Sequence, residues 1–221
     1  FRFCKTMELK GYQEFKMMLS LSISEGQEDV EQFTGNNISL EDSFGDLAKK
    51  VLNTNINALT ETYSLIREED MSRAIDMLHE ARRIFFFGVG ASMLTAMKAM
   101  NKFLRIENKV FGIQDAHMQS MAAATMSGQD VAVLFSYSGA TKDTIHVAGV
   151  AKRAGAKIIC VTRFVKSPLS AFADITLLSG ANEGPLQGGS TSAEISQLFL
   201  IDLLYMEYYK RYFDHCSANN E

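Results

Sequence analysis

Residues 131–141 of the 221-residue chain read VAVLFSYSGAT, and this stretch decides the fold. Its first five residues are all apolar, which is typical of a strand buried on both faces of a parallel sheet. The turn SYSGAT follows at 136–141, and the amphipathic stretch after it predicts a helix at 142–154. A buried strand, a turn of small residues and a helix together indicate one unit of an α/β fold.

The same unit repeats on both sides of this stretch. Apolar runs predict strands at 84–87, 109–113, 131–135, 157–161 and 174–178, with helices between them at 93–104, 118–126 and 142–154, a short helix from Pro168 with Ser167 as N-cap, and a last helix at 192–212. Two helices precede them, the first with an apolar stripe from Phe44 to Ile66 and the second at 69–81. Ser43 and Asp46 form a capping signal for the first. The pattern predicts a three-layer αβα sandwich with a five-stranded parallel sheet.

Composition narrows the function classes. The formal net charge is -4, and 47% of the residues are hydrophobic, which excludes a disordered or collagen-like chain. No apolar run approaches the roughly 18 residues that span a bilayer. Cys4, Cys160 and Cys216 show no pairing or zinc-binding pattern, and we expect no metal and no cofactor. No signal peptide is recognisable, so a reducing, cytoplasmic location is expected.

The first forty residues differ in character from the rest. Residues 1–20 are net basic, whereas residues 21–50 are net acidic and include a polar, glycine-containing stretch. We interpret residues 1–23 as a separate module, residues 24–42 as a linker and residues 43–221 as the main domain. Because the chain begins at Phe1 within a helical pattern, we also interpret it as a piece of a longer protein.

Two of the predicted strand-to-helix junctions are rich in small and hydroxyl-bearing residues. In open α/β sheets ligands bind outside the carboxyl ends of the strands. Glycine permits a close approach of the backbone to an anion, and a helix N-terminus offers free N–H groups and a partial positive charge. The hydroxyls of Ser92, Ser136, Ser138 and Thr141, with Gly90, therefore predict a cradle for a phosphate group. Ordinary tight turns and helix caps remain the alternative.

Two other phosphate-binding motifs fit less well. A dinucleotide fingerprint beginning at Gly88 requires a third glycine where Met93 stands, although Asp115 lies 22 residues further on, where a ribose-binding acid belongs. A P-loop is excluded because no Gly-Lys-Ser/Thr follows the glycines.

Five segments resemble a sugar isomerase (SIS) domain over about residues 43–213. They are FFFGVGAS at 85–92, DVAVLFSYSGATKDT at 130–144, AKRAGAKIICVT at 151–162, SPLSAFAD at 167–174 and AEISQLFLIDLLY at 193–205. The resemblance implies a phosphosugar ligand whose phosphate is bound by Ser92, Ser136, Ser138, Gly139 and Thr141. It also implies a dimer or higher homo-oligomer.

The segment FRFCKTMELKGYQEF at 1–15 resembles the end of the helix-turn-helix in RpiR-type transcriptional regulators. On this resemblance, residues 1–23 are the remnant of a DNA-binding domain, and Arg2 and Lys5 face the operator DNA, on the phosphate side. An amphipathic helix with solvated lysines is the alternative.

Two further residues are candidates for contact with the sugar. Glu194 stands eight residues before Asp202, the spacing that SIS-type isomerases use for the glutamate that abstracts a proton next to the carbonyl. An acid in the first turn of a helix is also favoured by the helix dipole. His117, in Asp-x-His after the second strand, is expected on the ligand side, with a surface or capping histidine as the alternative.

These observations lead to three hypotheses on function. The preferred one is a DNA-binding regulator of sugar metabolism whose SIS domain senses a sugar phosphate. The second is an aldose–ketose isomerase with Glu194 as general base, and the third is a dimerisation scaffold with a vestigial pocket.

Overall fold

The computed structural model describes residues 39, 41–181 and 191–218. In chain order its elements are α1 (Phe44–Leu65), α2 (Glu68–Glu80), β1 (Arg83–Phe87), α3 (Ala91–Phe103), β2 (Val110–Gly112), α4 (Ala116–Ala124), β3 (Asp130–Phe135), α5 (Lys142–Arg153), β4 (Lys157–Thr162), a 3-10 turn (Ser170–Phe172), β5 (Ile175–Leu178), α6 (Thr191–Arg211) and α7 (Phe213–Ala218). Among these helices, none is both long enough and apolar enough to cross a membrane.

The five strands form one parallel sheet in the order β2-β1-β3-β4-β5. This confirms the predicted architecture. β1 and β3 are neighbours, with Phe87 opposite Leu134. The chain leaves β1 toward β2 on one side and leaves β3 toward β4 on the other. The carboxyl ends of β1 and β3 therefore flank the topological switch point, where ligands bind in open α/β sheets.

Alternate residues of each strand face opposite layers of helices. Ile84 and Phe86 pack in one apolar cluster with α2, α3 and α6. Phe85 and Phe87 pack in the other, with α4 and α5. All six residues of β3 are buried, as the continuous apolar run predicts for a central strand. The sheet is thus fixed from both faces, and its carboxyl edge is a stable frame for the loops.

The first helix, α1, begins as predicted. The Ser43 hydroxyl accepts a hydrogen bond from the backbone N–H of Asp46 at 3.2 Å. Of its residues, however, Ala58 and Thr62 are the buried ones. The apolar stripe lies on the outer side, where Phe44 is 86% and Tyr63 is 72% exposed. The stripe predicted a helix correctly, but it does not mark the face that packs on this chain.

One predicted element differs in the structure, and one further element was not predicted. The short helix expected from Pro168 is only the 3-10 turn at Ser170–Phe172, because the N–H of Asp174 already bonds to Ile158 O at 2.9 Å and carries the chain into β5. The last helix ends at Arg211, and α7 follows it as a separate helix. The predicted end at residue 212 is thus confirmed to within one residue, and what the sequence pattern missed is α7, whose Cys216 is fully buried against the core.

Candidate functional site

The first junction, between β1 and α3, depends on two glycines for different reasons. A Cβ on Gly88 would lie 2.5 Å from the carbonyl oxygen of Ser92, so the turn touches the first turn of α3. Gly90 has φ +62° and ψ −131°, a conformation that residues with a side chain rarely adopt, and no atom of the described residues lies within 4 Å of where a Cβ would be. The turn is therefore tight on one side and open on the other, with the backbone of Gly90 exposed.

The junction between β3 and α5 carries the hydroxyl groups. Ser136 is buried, and its Oγ lies 3.2 Å from Oγ1 of Thr141. Ser138 is exposed at the tip of the loop, where its Oγ accepts a hydrogen bond from Ala140 N at 3.2 Å. Gly139 has φ +60°, and a Cβ there would lie 2.3 Å from Ser167 Oγ. The loop is therefore held from behind, while Ser138 points a hydroxyl outward.

The two helices that begin at these junctions lack side-chain caps. In the described part of the chain, neither Gly90 at the start of α3 nor Thr141 at the start of α5 makes a side-chain capping hydrogen bond. By contrast, Ser43 caps α1 and Asp115 caps α4, the latter through Met118 N at 2.8 Å. Helix N-termini without caps retain free N–H donors and a partial positive charge, which suits an anion.

Asp115 bears on the dinucleotide alternative. Its carboxylate, the candidate ribose-binding acid, is instead used as the N-cap of α4.

His117 lies in the first turn of α4 and is exposed. This helix begins beyond β2, next to the first junction. The imidazole of His117 forms no hydrogen bond with another described residue, so it is accessible to a ligand at this edge.

Gln119 is a residue of the site that sequence reasoning missed. It is fully buried, and its Nε2 donates to Gly88 O and to Ile113 O, both at 2.9 Å. The amide therefore ties the end of β1 to the end of β2. Its Oε1 is buried and has no hydrogen-bond partner among the residues that the structure describes. The sequence carried no clear signal for this role, because His117 and Ser120 are polar residues of the same helix.

Glu194 lies in the first turn of α6 and is half-buried. The residue before it, Ala193, packs with Ala58 and Ala181, and Tyr137 lies against this cluster. Tyr137 belongs to the loop after β3. The start of α6 therefore lies at the same edge of the sheet as the hydroxyl-bearing loop, as the SIS resemblance implies.

Comparison with known proteins adds the family. A family model described as "SIS domain" matches residues 77–207. An uncharacterized HTH-type transcriptional regulator of Haemophilus influenzae is 36% identical over 204 residues, which are 92% of this chain and 71% of the relative. The HTH-type transcriptional regulator RpiR of Escherichia coli K12 is 31% identical over 202 residues, which are 91% of this chain and 68% of RpiR. The chain belongs to the RpiR-type transcriptional regulators with a SIS domain.

The fold of this SIS regulator matches that of a solved relative. The Vibrio vulnificus NanR protein complexed with ManNAc-6P superposes with a TM-score of 0.82 at 28% identity, over 99% of this chain and 76% of that one. The resemblance found in the sequence, the fold class and the regulator family are thus confirmed. α1 and most of α2 precede the residues that the SIS model matches.

Several predicted features of this SIS regulator lie outside the described residues. They are Arg2 and Lys5, the module at 1–23, and the linker at 24–42 except for residues 39, 41 and 42. Within the described residues, no group of three or more histidine, cysteine, aspartate or glutamate side chains is placed to hold a metal ion.

Proposed function

We propose that this RpiR-type regulator binds a sugar phosphate at the carboxyl edge of its sheet and that the bound ligand changes how it engages operator DNA. The phosphate would be held by backbone N–H groups at the starts of α3 and α5 and by the hydroxyls of Ser92, Ser136, Ser138 and Thr141. Gly90 and Gly139 give these turns their shape. His117 and Glu194 would face the sugar.

One observation carries the proposal. Two uncapped helix N-termini begin beyond neighbouring strands at the switch point, and the loop between β3 and α5 presents hydroxyl donors. A phosphate with a single ester bond complements both the donors and the partial positive charges. NanR, which was solved with ManNAc-6P, shares this fold at 28% identity, so an amino-sugar phosphate is a natural first ligand to test.

The remaining parts of the proposal concern DNA and assembly. Arg2 and Lys5 would contact operator phosphates from the N-terminal module, 1–23, which the linker, 24–42, joins to the SIS domain. The chain would act as a homodimer in the cytoplasm. A ligand shifts such an assembly only if it binds one arrangement more tightly than the other.

The test is a thermal-shift panel on the 221-residue chain with N-acetylmannosamine 6-phosphate, N-acetylglucosamine 6-phosphate, glucosamine 6-phosphate, glucose 6-phosphate and fructose 6-phosphate. At a hundred times its Kd, a ligand specific for the folded state should raise the Tm by about 5–10 °C. Ser138→Ala removes one hydrogen bond to a charged group and should weaken binding about 10- to 100-fold.

The matched control is Ser72→Ala, which removes a serine hydroxyl on α2 that accepts from Arg211 at 2.9 Å, away from the carboxyl edge. It should leave the affinity unchanged. If no sugar phosphate raises the Tm, the sensing function is wrong and the scaffold reading gains support.

Isomerase activity is the second candidate, and the position of Glu194 favours it. Glu194, in the first turn of α6 at this edge, would be the general base that takes the proton in enediol formation. The same panel, incubated and then analysed for aldose–ketose conversion, tests it. Sustained turnover that Glu194→Gln abolishes would establish the enzyme, whereas unchanged substrate leaves Glu194 as a binding residue.

A further inference from the structure

Helix α1 is attached to the rest of the chain through its C-terminal third. Ala58 and Thr62 are buried there. Toward the N-terminal end, Phe44 is 86% exposed and Leu52 is 58% exposed. α1 packs on α6, the helix that carries Glu194. Among the described residues, the buried side chains of α1 thus lie in its C-terminal third, and its N-terminal end follows the residues predicted as a linker.

The attached end contacts three segments that bound the candidate site. Thr62 Oγ1 accepts a hydrogen bond from the N–H of Gly180, which follows β5, at 2.9 Å. Glu61 Oε1 accepts from Nη2 of Arg163, which follows β4, at 2.6 Å. The carbonyl oxygen of Ala58 accepts from the Ser196 hydroxyl of α6 at 3.3 Å. Each partner lies just beyond a strand's carboxyl end or in α6 close to Glu194.

The same segments hold the hydroxyl-bearing loop through Tyr137. The Tyr137 hydroxyl donates to Ala181 O at 2.6 Å, next to Gly180. Its carbonyl oxygen accepts from Arg163 N at 3.0 Å and from Thr162 Oγ1 at 3.1 Å. Tyr137 lies between Ser136 and Ser138 in the sequence. Each of these two serines is therefore next to a residue that bonds to the segments in contact with α1.

The contact between α1 and the loop after β5 leaves no free space. A Cβ on Gly180 would lie 2.5 Å from the backbone nitrogen of Thr62 and 2.7 Å from Cβ of Glu61. Backbone thus touches backbone. Packed elements of this kind move together or change partners rather than deforming gradually. A shift of the loop after β3 or of the start of α6 therefore acts on α1.

We propose that the segment Ala58–Glu61–Thr62 of α1 positions the sugar-phosphate site, and that α1 carries the ligand-dependent change from that site toward the N-terminal module. This inference rests on the proposed function, whose regulation it specifies. These residues are positioning residues, since they act through Arg163, Gly180 and Tyr137.

The coupling between the ligand and α1 can be measured at the ligand site and at α1, because it is reciprocal. If ligand binding changes the attachment of α1, a change in that attachment alters ligand affinity by the same factor. Substitutions in α1 that do not touch the ligand should therefore change its Kd. They should also loosen the loop at 136–141 when no ligand is present.

The first experiment is hydrogen–deuterium exchange on the ligand-free 221-residue chain. Thr62→Val keeps the shape of the side chain but removes the acceptor for Gly180 N–H. It should speed exchange about fivefold or more, both in α1 and in the segments 136–141 and 192–197. Thr62→Ser keeps the hydroxyl and should restore slow exchange. Faster exchange confined to α1, or equal effects of Val and Ser, would overturn the inference.

Glu61→Gln is the second variant, because loss of a partly exposed ion pair leaves the fold intact even if Thr62→Val does not fold. It should also speed exchange at 136–141. Its control is Glu69→Gln, an exposed glutamate on α2 without a recorded ion pair among the described residues, which should change nothing there. If exchange at 136–141 is the same in both, α1 does not position the loop.

The second experiment measures Kd for whichever panel sugar phosphate raises the Tm of the native chain most. Thr62→Val and Glu61→Gln should change the Kd about fivefold or more, and Thr62→Ser and Glu69→Gln should not. If no panel member binds the native chain, the proposed function fails, and the exchange experiment still decides whether α1 positions the loop. Binding that is identical in all variants overturns the coupling alone.

Discussion

The two edges of the sheet are built from different chemistry. At the carboxyl edge, β1 and β3 end in glycine- and hydroxyl-containing turns, and α3 and α5 begin without side-chain caps. At the amino edge, Arg83 and Asp130 of the same two strands form a two-point ion pair with distances of 3.0 and 2.7 Å. One edge retains hydrogen-bond donors for a ligand, whereas the other uses its polar groups within the protein.

The amino edge also contains a second buried polar cluster. Glu107 is 2% exposed and accepts from the Tyr208 hydroxyl, and Nε2 of His215 lies 2.8 Å from its carboxylate. Lys109 Nζ lies 3.8 Å from the same carboxylate and donates to His79 O at 2.7 Å. Burial and the adjacent Glu107 raise the pKa of Tyr208, which keeps its hydroxyl protonated as a donor. These bonds join α7 to the loop before β2.

The amino edge of the sheet is thus expected to stabilise the fold, and the carboxyl edge is expected to bind the ligand. Substitutions at the amino edge should lower the free energy of unfolding and leave ligand affinity alone, and those at the carboxyl edge should act on affinity. A chain divided in this way can bind an anion in exposed turns because the frame that holds the turns is fixed at the opposite edge.

The largest effect should come from Asp130→Ala. The carboxylate is fully buried and also accepts from Ser127 N at 2.7 Å, so its removal leaves the N–H of Ser127 without this acceptor and Arg83 with only the carbonyl oxygen of Thr125. Because the Arg83 side chain is 30% exposed and stays partly solvated, the loss should lower the free energy of unfolding by about 2–4 kcal/mol, measured by urea denaturation. The exposed Asp214→Ala is the control. A loss no larger than that of Asp214→Ala would show that this edge does not stabilise the fold.

A smaller effect should distinguish the two positive-φ glycines of the carboxyl edge. Gly90→Ala incurs only backbone strain, about 1–3 kcal/mol, because no atom of the described residues lies within 4 Å of the added Cβ. Gly139→Ala incurs a similar strain and also a clash with Ser167 Oγ at 2.3 Å. Denaturation should therefore show the greater loss for Gly139→Ala, and both variants should bind sugar phosphate more weakly. Equal losses would mean that the Ser167 contact relaxes without cost.

The smallest effect concerns pH at the amino edge. Burial, with the charges of Lys109 and His215, lowers the pKa of His79 below its ordinary value of 6.5. As the pH falls through 6.5, the unfolded chain therefore takes up a proton before the folded one, so the free energy of unfolding should fall from about pH 7 downward.

The variant His79→Gln should flatten this slope in urea titrations between pH 7 and 5. The matched control is His146→Gln on α5, where the histidine is exposed, and it should leave the slope unchanged. A native slope that is insensitive to His79→Gln would contradict the assignment.

The sequence predicted the strands well because their signal is local. The apolar runs placed all five strands to within a residue or two, and β3 is buried throughout as its continuous run indicated. The exceptions were set by partners distant in sequence. The N–H of Asp174 bonds to Ile158 O, which carries the chain into β5 and limits the helix after Pro168 to one turn. The sequence did not predict α7, which packs on the core through Cys216.

The candidate site divides in the same way. Gly90, Ser138, Gly139 and Thr141 were predicted because glycines and hydroxyls at a strand-to-helix turn are themselves the signal. Gln119 was not, since its importance depends on reaching Gly88 O, 31 residues away in the sequence. The outward direction of the α1 stripe was equally beyond the sequence, because periodicity defines a helix face without saying what the face contacts.

By itself, the sequence determined the alternation of strands and helices, the two turns and the family, since each is encoded in neighbouring residues. The tertiary structure decided that β1 and β3 lie side by side, and thereby which turns share an edge. It also decided that Thr62 meets Gly180 and that Arg83 meets Asp130. Those pairings depend on how the whole chain packs, and they cannot be predicted from the spacing of residues in the sequence.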